Sequence, residues 1–573
     1  MSGTDHPTEQ FPVVSDSPDD ATVVLPISEP EQGDETPTAQ SVARTSGIMA
    51  VGSLISRITG FARAAVIAAA LGSAVGNSYQ LAVSLPQMIY ELLVGGILTS
   101  VVVPLIVKAR KRDADGGEAF THRLLTAAVT MLLVATVSAV LLAPVLTWVF
   151  SNDQTSADGR VLINTLLYMM LPTIFFYGLA ALLAAVLNTR DHFFAPMWAP
   201  ILNNITVIGT AVVFIALPGP ATLNPSTITG TQVAVIGLGT TLGIVVQALS
   251  LWPALRKVGF RWRWRFDLYG TGLGEAVRLG TWALIYVGVS QIGLLPVIWI
   301  AKYAGDRGEA GNLVHNNAFL LFMMVHGIVA VSILTALLPR MSAAAAESRW
   351  GDMAANLSLG TRLSSVVLVP ATAAYVALGV PLAVAAFQWG EFGSDEAHAT
   401  GLAVMAAGIG LVPFAISQMQ IFAFYAMRDT KTPALLNIPV VVAKVLFDVG
   451  VWLLVPAEYV VVGLMCGNTL SYIVAVLVSA RLLRKRVGSL DTSRITQTLV
   501  RLSIASALAG GVAWALSYGI TEWLGAGKVG SLVALIVGGV ALGVTFVAGA
   551  IFLRIREVTE VWGTVRSRVP GLR

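Results

Sequence analysis

The sequence predicts an all-α polytopic membrane protein with about fourteen transmembrane helices. Three observations lead to this fold class. Of the 573 residues 55% are hydrophobic, only 12% are charged, and long apolar stretches recur between residues 45 and 553. A helix needs about 20 apolar residues to cross the hydrocarbon core, and only a helix satisfies its own backbone there. This composition argues against a soluble enzyme.

The predicted spans follow one another with short connections. Their approximate bounds are 45–71, 77–107, 119–150, 161–187, 193–217, 231–252, 274–301, 312–338, 356–388, 399–427, 433–455, 458–480, 495–521 and 529–553. Loops rich in Lys and Arg alternate with loops that hold only Arg160, Lys302, Arg307 and Lys528. Because cationic loops stay in the cytoplasm, the alternation predicts an even number of spans with both termini inside.

The first 43 residues are predicted to be a disordered, acidic cytoplasmic tail. They hold nine Asp or Glu and no Lys or Arg, so the net charge of +4 divides into −9 for the tail and +13 for the rest. Such a segment has too little apolar surface to fold alone. Thr22, Thr36 and Thr38 are candidate phosphorylation sites for recruiting a phosphothreonine-reading protein, or simply polar residues that keep the tail soluble.

Two short motifs recur at nearly the same offset and predict two halves of the same orientation. Ile-Leu-Thr at 97–99 recurs at 333–335, and Arg-Asp at 190–191 recurs at 428–429. The predicted organisation is the tail (1–43), a lobe of six helices (44–252), a pseudo-symmetric lobe of six helices (253–486), and two final helices with a short cytoplasmic C-terminus (487–573). This arrangement is typical of transporters that bind substrate between the halves.

Nothing in the sequence indicates covalent chemistry, a cofactor or a metal. Cys466 is the only cysteine, which excludes a disulfide framework, a CxxC redox pair and a cysteine-built zinc site. Motifs of the GxxxxGK[ST], HExxH and GxSxG types do not occur. The loop 261–265 alternates Arg with Trp, and this pattern fits the cytoplasmic lipid interface better than a nucleic-acid site.

Three ionisable residues lie within the first two spans, where charge is costly and usually functional. Arg57 and Glu91 lie equally far from a turn predicted at 72–76. They therefore have the same depth, near the membrane midplane, and are expected to pair. Arg63 has no acidic residue at its depth in this hairpin, and its guanidinium is suited to an anionic ligand such as a phosphate. Alternatively, both arginines hold helix ends or backbone carbonyls in place.

Lys444 and Asp448 lie four residues apart in the eleventh span and therefore share one helix face. The simpler interpretation is an internal ion pair. The alternative is a proton or cation site in which Lys444 serves as a tethered cation.

Several motifs together resemble the MurJ (MviN) family of lipid II flippases, which belongs to the multidrug, oligosaccharidyl-lipid and polysaccharide exporter superfamily. The resemblance covers roughly residues 45 to 553. Its motifs are SRITGFAR at 56–63, Leu85-Pro86, VLNTR at 186–190 with Phe194, Pro196, Pro200 and Asn203, and FYAMRDTKTP at 424–433.

The resemblance implies a plasma-membrane protein of bacteria that moves the undecaprenyl-pyrophosphate-linked peptidoglycan precursor to the outer leaflet by alternating access. Membrane lipids are further expected partners, and cell-wall synthesis proteins are candidate partners of the tail. By this resemblance Arg57 and Arg63 keep two arginines that the family uses for the anionic head group, and Asn77, Tyr90 and Glu91 are further candidate substrate-binding residues. Asn77 stands where many members have Asp, Tyr90 and Leu320 where many have Arg, and Ser84 where many have Lys. The resemblance further implies that Lys444 disfavours the sodium site that some members hold near their eleventh helix.

Three functions remain open from sequence alone. The first is a flippase for a lipid-linked precursor, without an enzyme activity. The second is a related exporter of another glycan lipid or of drugs, driven by proton or sodium exchange. The third is a membrane scaffold that recruits partners through its tail. A drug exporter of cations needs acidic, aromatic cavities, whereas Arg57 and Arg63 favour a phosphate.

Overall fold

The computed structural model describes residues 39–92, 106, 109–110, 115–190, 192–267 and 273–558; for 39–50, 273–280, 330–332 and 335 it describes the backbone alone. The candidate threonines of the tail, most of 93–114 and the C-terminal 559–573 lie outside the described residues. The chain forms two compact units, Met1–Ile48 and Met49–Arg573. In the first unit the structure describes only the helical backbone of 39–48.

The described residues are helical and contain no strand. The first half comprises α1 (Ala39–Glu91), α2 (Glu118–Leu141), α3 (Ala143–Val149), α4 (Ala157–Met170), α5 (Thr173–Asn188), α6 (Phe194–Ala216), α7 (Gly230–Leu249), α8 (Trp252–Lys257) and the loop to 267. The second half comprises α9 (Leu273–Gly305), α10 (Asn312–Ala346), α11 (Trp350–Phe387), α12 (Ser394–Ile409), α13 (Leu411–Ala426), α14 (Lys431–Leu454), a 3₁₀ turn (Ala457–Tyr459) and α15 (Val460–Val487). Two final helices follow, α16 (Thr492–Leu524) and α17 (Lys528–Phe552).

The all-α membrane fold class is confirmed. Within the described residues, 12 helical segments are long and apolar enough to cross a membrane, or 13 if α12 and α13, which meet at a bend of 46°, count as one span. Each predicted span overlaps one of these helices, and the second is described only as far as residue 92. The number of fourteen spans and the orientation of the termini stay predictions.

A single glycine divides α1 into two arms. Gly72 has φ +57° and ψ −170°, a left-handed backbone that side chains other than hydrogen rarely allow. A Cβ at Gly72 would also lie 2.7 Å from the backbone oxygen of Glu391. Residues 73–91 are helical again, so the turn predicted for 72–76 is concentrated at this one position.

The core is divided between the two halves, and α1 contacts both. Leu71 packs in a buried cluster with Leu166 of the first half, whereas Ala68, one helical turn earlier, packs with Leu313 of the second half. Helices α16 and α17 pack on each other and on α11. The described contacts do not fix the boundaries of the two six-helix lobes, which stay a prediction.

Candidate substrate cavity

A cavity of about 410 Å³ lies between the second arm of α1 and helices α9, α10, α13, α14 and α15. Its wall is rich in uncharged carboxamides at membrane depth: Gln80, Gln87, Gln291, Asn312, Asn316, Gln418, Asn437 and Asn468. Carboxamides both donate and accept hydrogen bonds, so this wall suits hydroxyl and amide groups of a ligand. None of these eight residues was predicted as a site residue from the sequence, although Asn and Gln inside apolar spans are the signal that could have indicated them.

Glu91 lies on the wall of this cavity. Its carboxylate accepts a hydrogen bond from Gln291 at 2.7 Å and a longer one from Gln87 at 3.5 Å. The Glu91 side chain is not covered by other protein atoms, so it faces the space that a ligand would enter.

The predicted pairing of Arg57 with Glu91 is wrong for this structure. The guanidinium of Arg57 lies against Gly327 of α10, and the structure shows no ion pair between these two described residues. Equal distance from the turn sets equal depth, but the rotation of each arm decides which neighbour a side chain faces. Arg57 faces α10, whereas Glu91 faces α9.

Arg63 lies half-buried beside tyrosines. Its positive charge acts on the phenol oxygens of Tyr79 and Tyr177, and the ring of Tyr90 lies 4.7 Å from that of Tyr177. The Tyr79 hydroxyl is in turn 3.0 Å from that of Thr240. Among the residues that the structure describes, no carboxylate lies within ion-pair distance of Arg63. A guanidinium without a carboxylate partner is suited to bind an anionic oxygen ligand.

Asn77 contacts the beginning of α10, and its role in substrate binding stays a prediction. Its side chain is buried, and Oδ1 accepts a hydrogen bond from the backbone N–H of Leu313 at 3.0 Å. Leu313 is the second residue of α10, where backbone N–H groups have no partner within their own helix. A Cβ at Gly305 or Gly311 would collide with the Asn77 amide, so the fit is tight.

Lys444 and Asp448 form an ion pair with an Nζ–Oδ2 distance of 2.5 Å. The Asp448 side chain is 0% exposed and that of Lys444 13% exposed, and Lys444 lies on the cavity wall. The carboxylate rests against Gly467 of α15, where any Cβ would clash with Oδ1. The pair places a compensated charge at the edge of the cavity.

Polar contacts between the two halves cluster at one end of the bundle, which we call the Gly72 end and define by Gly72 and the loops 151–156, 306–311 and 388–393. The contacts there include Ser73 Oγ to Glu396 Oε1 (2.8 Å), Glu391 N to Ala69 O (2.8 Å), Leu313 N to Asn77 Oδ1 (3.0 Å), Thr155 Oγ1 to Asp306 Oδ2 (2.6 Å), Asn152 Nδ2 to Asp306 Oδ2 (3.1 Å) and Lys302 Nζ to Thr155 Oγ1 (3.4 Å). Away from this end, Gln291 of α9 donates a hydrogen bond to Glu91 of α1, and Arg123 of α2 forms an ion pair with Asp267 of the loop before α9. Most of the polar contacts between the two halves in the described part of the chain therefore cluster at the Gly72 end, and we refer to this cluster as the latch.

A family model described as "Lipid II flippase MurJ" matches residues 67–538. The chain is 26% identical over 495 residues to "Probable lipid II flippase MurJ" of Haemophilus influenzae, covering 82% of this chain and 92% of that one. It is 27% identical over 402 residues to "Lipid II flippase MurJ" of Burkholderia cenocepacia, covering 68% of this chain and 74% of that one.

Solved structures show the same fold. A structure titled "Lipid II flippase MurJ, inward closed conformation" superposes with a TM-score of 0.70 at 18% identity, covering 88% of this chain and 98% of that one. An inward-facing multidrug transporter of the MATE family superposes with a TM-score of 0.61 at 17% identity, covering 79% and 99%. Since the family model spans most of the sequence and the all-helical membrane fold agrees with it, this chain belongs to the MurJ family of membrane transporters.

Proposed function

We propose that this protein is a lipid II flippase of the bacterial cytoplasmic membrane. It moves the undecaprenyl-pyrophosphate-linked precursor of peptidoglycan from the inner to the outer leaflet. Family membership supports this assignment, as do relatives that carry the name lipid II flippase. In this function no bond of the substrate is made or broken, and the protein is a transporter without enzymatic activity.

The observation that carries the proposal is the environment of Arg63. A half-buried guanidinium within a membrane-capable helix, without a carboxylate partner among the described residues, is costly unless an anion neutralises it. A pyrophosphate supplies that charge and offers oxygens to the guanidinium fork.

The cavity supplies a second kind of contact. Its carboxamides hydrogen-bond to the sugar and peptide part of the head group, which has many hydroxyl and amide groups. Glu91 faces the same space and is available to accept hydrogen bonds from ligand donors. The pyrophosphate and the sugar and peptide part of the head group are thus bound by different residues.

The distribution of contacts between the halves supports alternating access. The latch closes the Gly72 end, which the charge alternation predicts to be the outer end, so a substrate enters from the opposite end. Transport then requires that the Gly72 end open and the other end close, because a charged head group cannot cross the hydrocarbon beside the protein.

The direct test is depletion of the protein in its native cell, followed by leaflet-resolved measurement of lipid II. We expect lipid II to accumulate in the inner leaflet and to return to the outer leaflet when the wild-type chain is restored. An unchanged leaflet distribution after depletion, in a strain without a second flippase, would contradict the assignment. Purified protein in vesicles loaded with labelled lipid II provides the corresponding measurement without other cell components.

The alternative function is export of another glycan lipid or of drugs, driven by proton or sodium exchange. Glu91 is the observation in its favour, because an exposed carboxylate on a cavity wall attracts cations. Arg63, which has no carboxylate partner among the described residues, opposes a cationic ligand. Transport of a cationic dye, but not of lipid II, by the same vesicles would favour this alternative.

For the tail we propose a role in recruitment instead of transport. Phosphorylation of Thr22, Thr36 or Thr38 would add charge and strong acceptor oxygens that a phosphothreonine-reading or cell-wall synthesis protein recognises. Replacing all three by Ala is expected to abolish such binding in pull-downs with the phosphorylated full chain. Lipid II flipping by the same variant in vesicles is expected to stay normal.

A further inference from the structure

Glu91 carries a charge that the described wall of the substrate cavity does not compensate. Among the described lining residues, Glu91 is the one carboxylate and Lys444 the one Lys or Arg. The ammonium of Lys444 lies 2.5 Å from the carboxylate of Asp448, which is fully buried and does not line the cavity. Because Lys444 is engaged in this pair, it does not neutralise Glu91. A charge at membrane depth without a partner is costly and marks a place where a ligand binds.

Two carboxamides hold the Glu91 carboxylate in place. Gln291 of α9 donates a hydrogen bond to Oε2 at 2.7 Å, and Gln87, one helical turn before Glu91, donates a longer one to Oε1 at 3.5 Å. A carboxylate has about four acceptor positions, so these two donors leave about half of them unoccupied. Since the Glu91 side chain is exposed to the cavity, a ligand donor can reach the remaining positions.

The neighbours of Glu91 on α1 add acceptors but no positive charge. Gln80, Ser84, Gln87 and Glu91 all line the cavity and follow one another at intervals of four, three and four residues, so they lie on one face of the helix. The carboxamide and hydroxyl oxygens on this face accept hydrogen bonds, but they cannot supply the missing countercharge. The ligand group that complements this face is therefore a cation with several N–H donors.

A primary ammonium group has both properties, because it combines a full positive charge with three N–H donors. A metal cation fits less well. The described residues hold no group of three or more acidic, histidine or cysteine side chains that would complete its coordination.

We propose that Glu91 binds a primary ammonium group of the transported head group, and that the cavity thereby selects precursors whose peptide carries a free side-chain amine. A diamino acid in the peptide of the precursor supplies such an amine. This inference rests on the flippase function proposed above and adds a determinant of specificity to it. The pyrophosphate at Arg63 and the ammonium at Glu91 each meet a protein group of opposite charge.

The test compares three forms of labelled lipid II in vesicles that contain the purified full chain. In the first form the side-chain amine of the peptide is free, in the second it is acetylated, and in the third it is dimethylated. Acetylation removes the positive charge, whereas dimethylation adds similar bulk and keeps the charge. We expect the wild-type protein to flip the free form about tenfold faster than the acetylated form, because a hydrogen bond to a charged group is lost. The dimethylated form should be flipped at a rate close to that of the free form.

Three variants locate this preference. Glu91→Gln keeps the shape of the side chain without its charge, so the ratio of the free to the acetylated rate should fall from about ten to about one. Glu91→Asp keeps the charge and should retain part of the preference. The matched control is Glu458→Gln, which removes an exposed carboxylate in the 3₁₀ turn outside the cavity and should leave the wild-type ratio unchanged.

Two results with the wild-type chain would overturn the inference whatever the folding of the variants. Equal rates for the free and acetylated forms would show that the amine is not recognised, while the flippase function would stand. A dimethylated form as slow as the acetylated one would show that bulk, and not charge, decides the rate. An unchanged ratio in Glu91→Gln would place the ammonium at another residue. Absence of flipping for every form would contradict the proposed function itself, and the inference with it.

Discussion

Ser73 donates a hydrogen bond from Oγ to Oε1 of Glu396 over 2.8 Å, and this contact joins the break in α1 to the first turn of α12. Three residues before the break, the backbone oxygen of Ala69 accepts the N–H of Glu391. The glycine that divides α1 therefore lies within the contact surface between the halves. A change in the angle of its two arms necessarily changes this surface.

Our first prediction concerns this latch. Cysteines at Ser73 and Glu396, joined by a short reducible crosslinker in a Cys466→Ala background, should hold the Gly72 end closed and stop lipid II flipping in vesicles. Reduction should restore it. The matched control joins cysteines at Ser358 and Asp491, whose side chains are 3.1 Å apart and which connect α11 to the start of α16 without bridging the two halves.

Flipping should continue in the crosslinked control. If quantitative crosslinking at Ser73 and Glu396 left flipping unchanged, opening of the Gly72 end would not be required for transport.

Our second prediction concerns Arg63. Arg63→Ala should reduce flipping roughly tenfold to a hundredfold, because a hydrogen bond to a charged group is lost. Arg63→Lys should keep part of the activity, since an ammonium retains the charge but lacks the two-pronged fork. Arg349→Ala, which removes an exposed arginine paired with Glu347 and Asp352, is the control and should be fully active. Full complementation by Arg63→Ala at normal expression would refute the role of Arg63.

A third prediction follows from the separation of Arg57 and Glu91. Because they face different helices, the effects of Arg57→Ala and Glu91→Gln on flipping should be independent, and the double variant should show the product of the single effects. The flipping rates of the wild type, the two single variants and the double variant, all measured in vesicles, together give a double-mutant cycle. A coupling above about 0.5 kcal/mol would mean that the two side chains interact in another state of the transport cycle.

A fourth prediction concerns the stability of the ion pair between Lys444 and Asp448. Lys444→Met leaves the fully buried carboxylate without a partner and should destabilise the protein by roughly 3 kcal/mol. Adding Asp448→Asn should recover most of this loss, because the buried charge is then removed. Thermal unfolding in one detergent, followed for the wild type and both variants, measures this. Equal melting temperatures for all three would show that the pair contributes nothing to stability.

From the sequence alone, composition determined the fold class. Apolar stretches of membrane length leave helices as the only spanning structure available to this chain, so the class does not depend on tertiary detail. The sequence also predicted that Arg63 has no acidic partner, because neither arm of its hairpin holds an acidic residue at the same depth. Lys444 and Asp448 could be paired for a similar reason, since a spacing of four residues within one helix fixes which side chains are neighbours.

Only the tertiary structure decided which helix each side chain faces. Depth along a helix can be counted, but the rotation of the helix depends on packing against partners far away in sequence. For this reason Arg57 meets Gly327 instead of Glu91, and Asn77 caps α10 instead of lining the cavity. The carboxamide wall and the latch between Ser73 and Glu396 likewise join residues from opposite halves of the chain, a proximity that periodicity and charge cannot predict.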